Sequence, residues 1–244
     1  MRRSQKVAVV SGGAALLAVA AISILASVPA MAVVSQGIDL QPFNEVDINS
    51  ELDVDIVVGP AQAVTVTAAD PAALRALRLE VRDGRLHAWL DRNLSNFSLF
   101  RHPVTVTVAL PALDAISAGG ASSVDIFGMT GDAVAIDASG SASLHIRSIS
   151  AEAVTIGGSG SAVIELSGNC STATLDISSA AGVSGKRLEC IDLDIEASSS
   201  ASALVYATGQ VNVSASTGAS VVVAGHPSHV NGTESTGGDI YVLG

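Results

Sequence analysis

Aromatic side chains are nearly missing from this chain. Its 244 residues include four Phe, two Tyr and one Trp, 3% of the total, while 48% are hydrophobic overall. An interior built almost without rings has to be filled by Val, Ile, Leu and Ala, which suits a narrow core. Basic residues are scarce too, 12 Lys and Arg against 23 Asp and Glu. Arg2, Arg3 and Lys6 precede an apolar N-terminal stretch, so the rest of the chain has 9 basic against 23 acidic residues, a net −14. Such a surface repels nucleic acid and anionic headgroups, which argues against both as partners. The patterns of several chemistries are also absent. There is no Gly-x-Ser-x-Gly elbow for a hydrolase nucleophile and no Gly-Gly-x-Gly-x-Asp repeat for calcium. The carboxylates Asp125, Glu165, Asp176 and Asp194 are scattered, and a solvated face accounts for them better than a glycosidase pair. No cofactor and no catalytic residue are expected.

What the chain does have is a repeat. From about residue 111 onward, runs of tiny residues lead into short aliphatic strands: Gly120-Ala121-Ser122-Ser123-Val124, Gly140-Ser141-Ala142-Ser143-Leu144, Gly160-Ser161-Ala162-Val163-Ile164, and so on to Thr236-Gly237-Gly238-Asp239-Ile240. Read this way, the closing aliphatics stand at 124, 144, 164, 183, 204, 221 and 240. A fixed period of this size marks stacked supersecondary units that bury a continuous core against one another. Within each unit one strand alternates as Leu144-His145-Ile146 and a second as Val154-Thr155-Ile156. Alternation puts the aliphatics inside and the polar residues outside, and no stretch of the repeat shows a helical apolar period. The fold expected is all-β, a single-stranded parallel β-helix of about seven coils of roughly twenty residues, with an N-terminal β cap.

Three segments are expected. Residues 1–32 are a signal peptide or an uncleaved signal-anchor helix: positive residues, then an uncharged stretch from Val7 to Val34 with the small-x-small site Ala30-Met31-Ala32. Either way the rest of the chain is exported, and contact with membrane is limited to this segment if it stays. Residues 33–110 form the β-hairpin cap region. Val54 to Val58, Gly59-Pro60-Ala61-Gln62 and Val64 to Thr67 read as strand, turn and strand, and Asp83-Gly84 as a two-residue hairpin turn. Asp70-Pro71 with Leu74 and Leu77 predicts a short helix. Val104 to Leu110 leads into the solenoid, residues 111–244.

Candidate sites are few. Cys170 and Cys190 are 20 residues apart, close to one period, which predicts a disulfide between neighbouring coils of an exported protein. The outward column of the first strands reads Asp125, His145, Glu165, Ser184, Val205, Val222, Tyr241, turning from polar to apolar. Val205, Val222 and Tyr241 are therefore the expected interaction face, for a partner or for self-association. His226 and His229, with Glu234 nearby, are the best metal candidates, but a turn carrying two surface histidines explains them better and no metal is expected. The last strand, Ile240-Tyr241-Val242, is expected to fray or to pair end to end with another molecule.

The order Phe43-x-x-Val46-x-Ile48, Asp83-Gly84-x-Leu86, a Val-Thr-Val-Thr-Val strand, Pro111-x-Leu113-x-x-Ile116 and repeated Ser-Gly-Ser units resembles the head GIN domain family of bacterial auto-transporter adhesins. The later coils depart from it, with Ser179-Ala180-Ala181-Gly182 in place of Ser-Gly-Ser. The resemblance implies a parallel β-helix and brings no catalytic residues. Together with export and repetition it implies a non-catalytic, adhesin-like binding or presentation module of the cell envelope, its partner a surface protein or a glycan. Two alternatives stand beside it: an envelope protein that assembles through its solenoid end, and a polysaccharide-acting β-helix enzyme.

Overall fold

The computed structural model describes residues 34–91 and 104–243. The N-terminal apolar segment, together with Phe97 and Phe100, lies outside them. In chain order the elements are β1 (Val34–Ile38), β2 (Glu45–Ile48), β3 (Asp53–Val58), β4 (Ala63–Ala68), α1 (Pro71–Ala76), β5 (Leu77–Arg82), β6 (Arg85–Leu90), β7 (Val104–Leu110), β8 (Ala115–Ala118) and β9 (Ser123–Phe127). They continue with β10 (Thr130–Ala138), β11 (Ser143–Gly158), β12 (Val163–Ile177), β13 (Gly182–Ala197), β14 (Ser202–Ala207), β15 (Gln210–Ser216), β16 (Ser220–Ala224), β17 (His229–Ser235) and β18 (Asp239–Val242).

These strands stack as a parallel β-helix. One ladder runs β6, β2, β8, β10, β11, β12, β13, β15, β17. A second runs β7, β3, β9, β11, β12, β13, β14, β16, β18. The long strands β11, β12 and β13 turn the corner unbroken and so belong to both. Register partners Ser123, Ser143, Val163, Gly182, Ser202, Ser220 and Asp239 mark six full turns, of 20, 20, 19, 20, 18 and 19 residues. About seven coils were expected, and the architecture is the one the repeat predicts.

The interior is a set of aliphatic columns. Val124, Leu144, Ile164 and Val183 stack in one, Ile136, Ile156, Leu175, Ile195 and Val213 in another, all buried. Each such side chain taken out of water contributes about 1.5–3 kcal/mol, and stacking places the contribution of every coil on its neighbours. The corners explain the tiny residues. Gly120, Gly140 and Gly160 take φ of 71°, 69° and 71°, and each stacks on the one before, Ser161 N–H donating to Gly140 O at 2.7 Å. A side chain there would be strained by its own backbone and would strike the coil beneath.

The N-terminal region differs from expectation in one pairing. Residues 54–58 and 64–67 do not form a hairpin: β7 lies between them, parallel to β3 and antiparallel to β4. The link of residues 59–62 is long enough to do this, since four residues reach up to about 13 Å and two strand spacings take only about 9.5 Å. Gln62 secures the crossing, donating to the Leu40 and Gln41 carbonyls and accepting from Phe43 N–H. So β2 and β3 form a layer inside the solenoid, between β6 and β7 on one side and β8 and β9 on the other. Beyond that layer the stack turns antiparallel, with β4 on β7, β1 on β4 and β5 on β6. The Asp83-Gly84 hairpin and the short helix form as predicted.

A second difference concerns Val205. It is buried, 4% exposed, and pairs with Val223, so it is not part of an outward face. Leu204 stands outside in its place, in register with Ser184 and Val222. The cause is the shortest coil, 18 residues from Ser202 to Ser220, in which β15 follows β14 after only two residues. Its small cross-section accepts Ala203, Val205 and Ala207, all buried, and leaves Leu204 and Tyr206 outside. Because side chains alternate, a one-residue slip in register moves a whole strand's set to the other face.

Candidate binding surface

The second ladder presents one lateral face of the solenoid. Its middle is charged: Arg147 pairs with Asp125 at 3.2 Å, and His145 Nδ1 lies 3.3 Å from Glu165. These pairs are exposed and each contributes well under about 1 kcal/mol. Past Ser184 the face turns apolar. Leu204, Val222 and Tyr241 follow one another in register, Leu204 and Val222 half-buried and Tyr241 53% exposed. Tyr206 flanks them, its ring against Gly225, where even a β-carbon would come within 2.9 Å of it. Of the three residues expected here, Val222 and Tyr241 lie on the strip and Val205 lies beneath it. Leu204 and Tyr206 join the strip because register sets Leu204, not Val205, beside Ser184.

Cys170 and Cys190 are register partners in β12 and β13, both buried, their Cα atoms 4.5 Å apart, and the structure joins them as a disulfide. His226 and His229 do not converge with Glu234. His229 Nε2 lies 3.0 Å from Asn231 Oδ1, and Glu234 accepts the Ile240 N–H at 2.7 Å. Among the described residues no three His, Cys, Asp or Glu side chains are grouped to hold a metal. On the first ladder, register sets Asp176 beside Glu196 and Thr174 beside Asp194. All three acids are exposed.

The same ladder carries a mixed polar cluster near its N-terminal end. Outward residues of β5, β6 and β2 align as Glu80, His87 and Asp47 in one row and Arg82, Arg85 and Glu45 in the next. His87 Nδ1 is 3.0 Å from Asp47 Oδ2, and Arg85 Nε donates to Glu45 at 2.7 Å. Arg82 pairs with Glu80 at 2.7 Å, and that hydrogen bond and charge raise the guanidinium pKa above its usual value. Beside them stands Trp89, half-buried, over a shallow depression. The sequence reading did not single it out. The signal was there: the only tryptophan in the chain sits at an outward position of the Leu86-His87-Ala88-Trp89 alternation.

Among the described residues, no helix is long and apolar enough to cross a membrane. No functionally curated protein matches the chain. Among solved structures, a putative adhesin from Bacteroides fragilis superposes with a TM-score of 0.81 at 17% identity, covering 88% of this chain and 99% of its own. A putative lipid binding protein from Parabacteroides distasonis gives 0.66 at 16% identity, covering 87% and 97%. A putative adhesin from Parabacteroides merdae gives 0.62 at 13%, covering 87% and 96%. At these identities the likeness establishes the fold alone. The family model described as "Putative auto-transporter adhesin, head GIN domain" matches residues 42–227, most of the chain, and this protein belongs to that family.

Proposed function

We propose that this protein is an exported, non-catalytic binding module of the cell surface, and that it meets its partner on the lateral strip of Leu204, Tyr206, Val222 and Tyr241. The strip carries the reading. On strands whose outward residues are mostly polar, apart from Val57, Phe127 and Val163, neighbouring coils here place two aliphatic and two tyrosine side chains side by side, and contiguous apolar area of this kind marks contact surfaces. Tyrosine suits such a face, giving apolar area with a polar tip. The adhesin descriptions of its structural relatives agree with this role. Beads coated with the full chain should adhere to layers of fibronectin, laminin, collagen or whole bacterial cells, and a Leu204→Thr, Val222→Thr double variant should adhere several-fold less. Equal adhesion by both forms and by uncoated beads would refute the proposal.

Val242 and Leu243, 49% and 54% exposed beside Tyr241, favour a second reading in which the partner is another copy of this chain. In that case the protein is a structural envelope component. Sedimentation separates the two: self-assembly gives concentration-dependent oligomers that the double variant loses.

A further inference from the structure

We propose that the depression beside Trp89 is a subsite for one ring of a neutral glycan. The inference rests on the reading of the chain as a surface binding module, and places a second contact on a different face from the apolar strip. The depression measures about 210 Å³, room for a single six-membered sugar ring, and is lined by Asp47, Asn49, Glu80, Arg82, His87 and Trp89.

A pyranose has two kinds of surface, and the cluster answers both. Its axial C–H groups form a weakly positive apolar face, which complements the negative face of an indole. Trp89 supplies that face from an outward strand position, with Arg78 its register partner on β5. Arg78 itself is committed elsewhere, donating to the Arg75 and Leu77 carbonyls and pairing with Asp91. It therefore does not compete for a ligand.

The rim of a sugar carries hydroxyls, each both donor and acceptor. Around the depression donors and acceptors are mixed within one patch: guanidinium N–H groups of Arg82, carboxylate oxygens of Glu80 and Asp47, the amide of Asn49 and the His87 ring. They are also held in place. Asn49 Nδ2 donates to Asp47 Oδ1 at 3.1 Å while Asp47 Oδ2 meets His87 Nδ1, so one carboxylate fixes two neighbours and His87 Nε2 remains unengaged. Asn49 lies across Gly119 of the next coil, where a β-carbon would come within 2.8 Å of its Oδ1. Asp47, Asn49 and His87, tied to one another, lose little freedom when a ligand binds.

Charge decides the class of sugar. Each carboxylate lining the depression already meets a donor, Asp47 with His87 and Asn49, Glu80 with Arg82. Two carboxylates against one guanidinium disfavour an anionic sugar, and an uncharged polyol is a ligand that uses the donors and the acceptors alike.

Trp89 is the only tryptophan, so fluorescence excited beyond the absorption of the two tyrosines reports this site alone. Titration with cellohexaose, xylohexaose, mannohexaose, maltohexaose and chitohexaose should give a saturable change and protection from acrylamide quenching with at least one of them. By calorimetry with that sugar, Trp89→Ala should weaken binding about tenfold or more, the share expected of an aromatic anchor, and Asn49→Ala several-fold. Trp89→Tyr should retain most of it, which separates loss of contact from loss of fold. The Leu204→Thr, Val222→Thr variant should bind the sugar unchanged, so failure here and failure of the apolar strip are distinguishable. No saturable response to any of the five, binding of trigalacturonate alone, or undiminished binding by Trp89→Ala would each overturn the proposal.

Discussion

Replacing Gly160 by alanine tests whether stacked corners hold the coils together. Gly160 has φ of 71°, and an L residue in that conformation costs roughly 1–2 kcal/mol. Space adds to the penalty. A β-carbon at Gly160 would lie 2.7 Å from Gly140 O, 3.0 Å from its N and 3.2 Å from its Cα, all backbone atoms of the preceding coil. Backbone cannot swing aside as a side chain can, so the two coils have to part, weakening the 2.7 Å bond from Ser161 N–H to Gly140 O. Overpacking of this kind costs about 1–3 kcal/mol and a weakened hydrogen bond about 1 more, for a total of about 3–6 kcal/mol. Gly218 is the internal control. Its φ is 77°, but a β-carbon there meets only the Ser200 hydroxyl, at 3.7 Å. Gly218→Ala should therefore cost only the conformational share, roughly 1–2 kcal/mol. Urea unfolding followed by circular dichroism, with midpoints compared at unchanged slope, measures both. If the two variants fall within about 0.5 kcal/mol of each other, close stacking contributes nothing beyond φ and the reasoning is wrong.

Other consequences are open to direct measurement. The same substitution on adjacent residues should separate the faces of β14: Val205→Thr buries a hydroxyl and should cost about 1–3 kcal/mol, while Leu204→Thr should change stability by no more than about 0.5. Thiol titration of the unfolded, unreduced protein is expected to find no reactive group, and replacing Cys170 and Cys190 by Ala should cost about 3 kcal/mol for a loop of this length; two titratable thiols would reject the bridge. Arg147→Ala, which breaks the exposed pair with Asp125, should cost less than about 1 kcal/mol in a thermal melt, and a larger loss would mean the charged middle of the face is structural. If copies of the chain meet on the apolar strip, raising ionic strength should strengthen association in sedimentation, because the acidic surface repels at low salt; weakening would point to a charged interface instead.

Much of this protein is written locally. Alternation such as Leu144-His145-Ile146 tells which side chains turn inward, because the period of a strand is fixed by its backbone. The recurrence of Gly or Ser before each strand tells where corners fall, since few residues accept positive φ. The cysteine spacing matched the coil length because both are counted along one chain. Tertiary structure decided what depends on distant partners. Whether Leu204 or Val205 faces inward could not be read from Ser202-Ala203-Leu204-Val205-Tyr206-Ala207, where both phases alternate apolar residues; the narrow coil and the register with Val221 and Val223 chose the smaller set. Likewise, nothing in residues 54–67 reports that β7, nearly forty residues later, will enter between the two strands. The polar cluster at Trp89 gathers Asp47, Glu80 and His87 from three strands, and only the stacking of β5, β6 and β2 makes neighbours of them.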